Sequence, residues 1–197
     1  MSEHGMLLRK IEEWRLKAHR ESDPFDKYIS IFIAYNIFYN LYKKTRSPFA
    51  DLTYGDSKRA IEVLSLINER DAHQLFYSIQ SDLEEYISII PIFREEYWPS
   101  NRARNKVAIS EALKEAYREG NARKVVEMLL KWLYKVRCNL VHGEKGYDSE
   151  AQKRLLSKSS LLLDKILQYL LEKYRQLYQI GETIEPEIWR VARIGDN

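Results

Sequence analysis

At 197 residues the chain suits one compact domain, or one with an elaboration, because single cores stop growing beyond roughly 250 residues. Apolar residues at 45% and charged residues at 31% exclude the disordered class, and 7 glycines with 5 prolines are too few for the turns of a sandwich or barrel. A net charge of +3 with a pI near 8.8 is too mild to imply nucleic-acid binding in bulk, so the distribution of charge has to decide.

The single cysteine, Cys138, excludes an internal disulfide and fits a reducing compartment. The first residues lack the apolar stretch of a signal peptide, and no run approaches the roughly 20 apolar residues of a bilayer span. The expectation is a cytoplasmic, all-α protein.

Leu7, Leu8, Ile11, Trp14 and Leu16 recur at helical spacing and predict a first helix over 2–19. Asp23-Pro24-Phe25-Asp26 is a helix start, with Asp23 at the N-cap and Pro24 at the first helical position. The helix that follows, to about Lys44, is apolar nearly all round, as a core helix is. Further helices are predicted over 57–68, 71–90 and 102–118, broken by Pro91, Trp98-Pro99 and Gly120. Val126, Leu129, Leu130, Leu133, Val136 and Leu140 then form one stripe of a helix over 122–141. A long final helix over 149–178 is joined to it by a short link containing Gly143 and Gly146, implying an antiparallel pair. The predicted organisation is a single domain over 1–180, with a helical insertion at 47–120 and a tail at 181–197.

Basic residues gather at Arg102, Arg104 and Lys106, from Arg118 to Arg137, and from Lys145 to Lys158; any one of these clusters can also be a solvated helix face. Chemistry concentrates in Tyr134-Lys135-Val136-Arg137-Cys138-Asn139-Leu140-Val141-His142-Gly143. At about 100° per residue, Arg137 falls on the apolar arc of its helix. A guanidinium there needs an anion, a subunit seam, a cleft, or a path along which it snorkels to water. His142 reaches the same region if the helix ends near Val141, where the helix dipole favours an imidazolium; alone, such a histidine is equally a structural residue. Cys138 and His142, four apart, do not make a metal site with two ligands, and no metal or cofactor is expected.

Arg137-Cys138-Asn139-Leu140-Val141-His142-Gly143 resembles the R-x-x-x-x-H signature of the HEPN superfamily, in its common form R-N-N-x-x-H-G, ahead of a leucine-rich last helix. The segment Asp23-Pro24-Phe25 through Ala34-Tyr35-Asn36 resembles the D-P-F opening of the Apea-like branch. The resemblance implies a HEPN-like helical bundle that dimerises so that two motifs face each other in a composite, metal-independent ribonuclease site. It gives His142 the proton transfers, Arg137 the scissile phosphate, and Asn139 the orientation of either, although Asn139 is also an ordinary polar residue near a helix end. Lys131, Lys135 and Lys145 are the candidates for further RNA contacts. A toxin or antiviral-defence endonuclease, held in check by an antitoxin or other inhibitory protein, is the function this implies. The alternative is a non-catalytic module that binds RNA, nucleotide or protein through the same groove. Cys138 departs from the pattern, which often has a polar residue after the arginine.

Overall fold

The computed structural model describes residues 3–47, 55–90, 101–141 and 149–178. Among these lie seven α-helices and no strand: α1 (Glu3–Arg20), α2 (Pro24–Arg46), α3 (Asp56–Glu62), α4 (Glu69–Ile89), α5 (Asn101–Arg118), α6 (Ala122–Val141) and α7 (Glu150–Leu177). The all-α expectation is met. The third predicted helix is shorter than expected, because after Glu62 the chain tightens into a 3-10 turn, Val63–Leu66.

The helix starts follow local chemistry. The Asp23 carboxylate accepts from the backbone N–H of Phe25 (2.9 Å) and Asp26 (3.0 Å), satisfying two donors that the first turn of α2 leaves without intrahelical partners. Asn68 and Asp71 form a reciprocal capping box on α4, and the Ser149 hydroxyl caps α7. Between α5 and α6, Gly120 adopts φ +66°; the Gly120 N–H returns to the carbonyl of Tyr117 and that of Asn121 to Ala116, a Schellman stop. Asn121 then caps α6 through the N–H of Lys124 at 3.0 Å. Stop and start in adjacent residues fold α5 back onto α6.

Four helices, α2, α7, α4 and α6, surround one continuous core, with α1 packed on α2 and α7, and α3 and α5 on the flank of α6. Ion pairs set the sense of packing. Asp71–Lys173, Asp82–Lys165 and Glu85–Lys158 run in opposite orders along α4 and α7, so these two are antiparallel. Helices α6 and α7, expected as a pair, meet only briefly: α7 packs mainly on α2 and α4, and α6 mainly on α5 and α4. Helices α3 to α5, the segment read as an insertion, share the same core. The link after Val141 and the tail lie outside the described residues.

Tyrosines tie the bundle together. Tyr28, Tyr35, Tyr39, Tyr86 and Tyr174 are fully buried, and a hydroxyl in such a place needs a partner. Tyr28 donates to the Leu133 carbonyl at 2.5 Å and Tyr35 to the Ala60 carbonyl. Trp132 Nε1 donates to the Tyr86 oxygen at 3.0 Å, Tyr86 lies 2.7 Å from Ser159 Oγ, and Ser159 donates to the Leu155 carbonyl. A single relay therefore joins α6, α4 and α7. Tyr174 joins Thr45 on α2 and His4 on α1.

Burial holds the phenols of Tyr28, Tyr35 and Tyr86 well above their usual value, because the phenolate cannot be solvated there. A proton retained by the folded state contributes stability that is complete below the unfolded pKa of about 10 and is lost as pH rises beyond it. Each such group removes up to about 1.4 kcal/mol per pH unit above that point. The urea midpoint is expected to hold from pH 7 to 9 and to fall steeply above about pH 10; a flat profile to pH 12 contradicts the burial of these rings.

Candidate functional site

Two features meet where α2, α3 and α6 converge. The first is a hydrogen-bonded ring. Arg59 Nε donates to Asn40 Oδ1 (2.9 Å), Asn40 Nδ2 to Asn36 Oδ1 (3.1 Å), Asn36 Nδ2 to the Tyr39 hydroxyl, and Tyr39 to Asp56 Oδ1 (2.6 Å). Arg59 Nη2 closes the ring on Asp56 Oδ1 at 3.2 Å, and Tyr134 on α6 donates to Asp56 Oδ2 at 2.9 Å. Burial first, and the Asp56 carboxylate second, push the Tyr134 phenol up, so it remains a donor to Asp56.

The second feature is Arg137. It is half-buried, and its guanidinium lies 5.6 Å from the centre of the buried Phe32 ring, within the range of a cation–π contact. Among the described residues, no carboxylate lies within ion-pairing distance of Arg137. Spacing placed Arg137 on the apolar arc of its helix; its neighbour there is an aromatic ring rather than an anion.

Between α3, α5 and α6 a cleft of about 540 Å³ is lined by Ile61, Ile109 and Tyr134, together with Lys58, Lys131 and Lys135. Around α6, Lys131 and Lys135 lie to one side of Tyr134 and Arg137 about 60° to the other. Lys131 is paired with Glu127 at 2.5 Å, and Glu62, also on the cleft, with Lys43 at 3.0 Å. Lys58 and Lys135 have no carboxylate partner among the described residues.

The predicted site residues are thus partly assembled. Lys131 and Lys135 share the cleft, whereas Arg137 turns towards Phe32 of α2, about 200° around α6 from Lys135. Asn139 is half-buried on the last turn of α6, about 200° around the helix from Arg137, so within one chain the two side chains leave opposite sides. His142 and Lys145 lie outside the described residues. Sequence reasoning missed Phe32, Asp56 and Lys58. Asn36 and Asn40, one turn apart on an otherwise apolar helix, were the available sign that a polar partner faces α2. Nothing local marked Lys58.

Among the described residues no three His, Cys, Asp or Glu side chains gather closely enough to hold a metal ion, and no helix is long and apolar enough to cross a membrane. Fold and site together define an all-helical bundle in which one core helix presents lysines to a cleft midway along its length and carries Arg137 nearer its end. No family model, curated protein or solved structure matches the chain.

Proposed function

We propose that this protein is a metal-independent endoribonuclease of the HEPN type, working in the cytoplasm as a toxin or antiviral-defence nuclease at a site composed from two copies of the chain. The observation that carries this is Arg137: a half-buried guanidinium over the Phe32 ring, with no carboxylate in reach among the described residues, on a helix that also presents Lys131 and Lys135 to a cleft. Such a cation suits a phosphate, which a guanidinium binds with paired donors.

In the proposed reaction the ribose 2′-oxygen attacks the adjacent phosphorus and the bond to the 5′-oxygen breaks. A base takes the 2′ proton, an acid protonates the leaving oxygen, and the products are a cyclic phosphate and a 5′-hydroxyl. His142 supplies the proton transfers, Arg137 neutralises charge growing on the phosphate, and Asn139 orients one or the other. Two proton-transfer groups are needed on opposite sides of the phosphate, and a two-fold dimer supplies the second histidine without new sequence. The opposite directions taken by Arg137 and Asn139 suit a site whose parts come from two chains.

The alternative, a non-catalytic module that binds RNA, nucleotide or protein, is favoured by Cys138, which stands where the HEPN pattern often carries a polar residue. Incubation with mixed RNA in excess EDTA separates the two. Cleavage leaving cyclic phosphate ends, with DNA of the same sequence intact, is the expected result; RNA bound but uncut supports the alternative, and comparable cutting of DNA overturns the 2′-hydroxyl mechanism. Light scattering is expected to give twice the monomer mass, with specific activity falling on dilution. A monomer with concentration-independent activity overturns the composite site. An antitoxin or other inhibitory protein is the expected cellular partner.

A further inference from the structure

The cleft between α3, α5 and α6 has two kinds of wall. Its interior is apolar, formed by the half-buried Ile61 and Ile109 and by Tyr134, whose hydroxyl is already committed to Asp56. Its edge is basic. With Glu62 paired to Lys43 and Lys131 to Glu127, Lys58 and Lys135 are the two cations without a carboxylate partner among the described residues, and they sit on different helices. At about 540 Å³ the space lies within the range of small-molecule sites, roughly 300–1,000 Å³. It admits a flat apolar group, and the two lysines of its lining attract anions.

We infer that this cleft is a base-binding subsite for single-stranded RNA: one unstacked base enters against Ile61, Ile109 and Tyr134, and phosphates on its two sides meet Lys58 and Lys135. Each base has an apolar face and each linkage one negative charge, so the polymer repeats the apolar and anionic elements that the cleft presents. A duplex keeps its bases stacked and paired and cannot offer one to a pocket of this size. This inference rests on the nuclease reading for its choice of RNA, and it adds the strandedness of the substrate and the contacts of one of its nucleotides.

The test is binding of a 2′-O-methyl RNA oligonucleotide of twelve nucleotides, which cannot be cut through its 2′ position, measured by fluorescence anisotropy over a range of salt. The wild-type protein is expected to prefer the single strand to its duplex by at least about tenfold. Lys58→Glu with Lys135→Glu should weaken single-strand binding by at least about tenfold and lower the salt slope by about 1.4, the loss of two phosphate contacts at roughly 0.7 each. Lys10→Glu with Arg20→Glu, the same charge change on the exposed face of α1, should leave both within about twofold. Ile109→Ala is expected to weaken the single strand about fivefold with little change in salt slope, since it alters the wall and not the charge. An equal effect of the α1 pair, or equal affinity for duplex and single strand, overturns the inference. If EDTA-resistant cleavage is present while Lys58→Glu with Lys135→Glu binds as wild type, the subsite is wrong and the nuclease stands. If the cleft variants lose single-strand binding and no RNA is cut, the nuclease is wrong and the subsite stands.

Discussion

Arg137→Ala and His142→Ala are each expected to abolish EDTA-resistant RNA cleavage while the helical circular dichroism stays unchanged. The arginine's contribution to folding is small: a cation over an aromatic ring adds about 0.5–1 kcal/mol at a partly exposed site, a minor share of the roughly 5–15 kcal/mol that holds a domain together. Its expected contribution to catalysis is larger. Removing one fixed donor to the charge developing in a transition state lowers kcat about 10²–10³-fold, and removing a group that moves a proton lowers it about 10²–10⁴-fold. If the site is composed from two copies as proposed, mixing the two variants should restore part of the activity where the two motifs contribute different groups to one phosphate. Wild-type rates from either variant alone sink the assignment of these residues.

Asp164→Ala is expected to be the most destabilising single change at the surface of the bundle, by about 3 kcal/mol. Arg15, on α1, is buried, and its Nε donates to Asp164 Oδ1 at 2.7 Å; His19 Nε2 reaches the other carboxylate oxygen at 3.0 Å. Glu12 also pairs with Arg15, at 3.1 Å, and Arg175 of α7 pairs with Glu12, so α1 is fastened to α7 through charges held mostly away from water. Deleting the carboxylate leaves a desolvated guanidinium short of one partner, which is the costly way to break such a pair. Burial disfavours the Asp164 carboxylate, but the hydrogen bonds from His19 and Arg15, with their charge, outweigh it and hold its pKa below the usual value. A carboxyl lowered in the folded state contributes stability in full above its unfolded pKa of about 3.9, and loses it as pH falls through the lower folded value. The gap between wild type and Asp164→Asn in urea is therefore expected to be constant from pH 5 to 7 and to close below about pH 4. A gap that persists unchanged at pH 2 means that the carboxylate charge is not what matters. For a chain of this length, 3 kcal/mol corresponds to a Tm lower by about 6–12 °C.

The helices were legible because their boundaries are written locally. Asp23-Pro24, the Gly120-Asn121 pair and Ser149 act through bonds to neighbours a few residues away, and spacing found α6 with the bounds it has. Two kinds of information were not local. The ring on Asp56 joins residues of α2 and α3 to Tyr134, 78 positions further on, and Arg15 meets Asp164 across 149 positions. Neither partner carries a mark of the other. The brevity of α3 was hidden as well, because Val63 and Leu64 bury themselves equally well in a 3-10 turn as in a further helical turn. At the site, the place of Arg137 on the apolar arc was read from a period of 3.6, whereas its contact with the Phe32 ring depended on how α2 meets α6.

The ring on Asp56 has a direction. From Arg59 through Asn40, Asn36 and Tyr39, every group gives a proton to the next, and the sequence of gifts ends on a carboxylate that only receives. Turning either amide over faces donor with donor or acceptor with acceptor, so one member cannot rearrange while the others stay. The bonds at the junction of α2, α3 and α6 therefore depend on one another. Lys58 follows Asp56 on α3 and Lys135 follows Tyr134 on α6, so the bond from Tyr134 to Asp56 ties together the two helices that carry these cations.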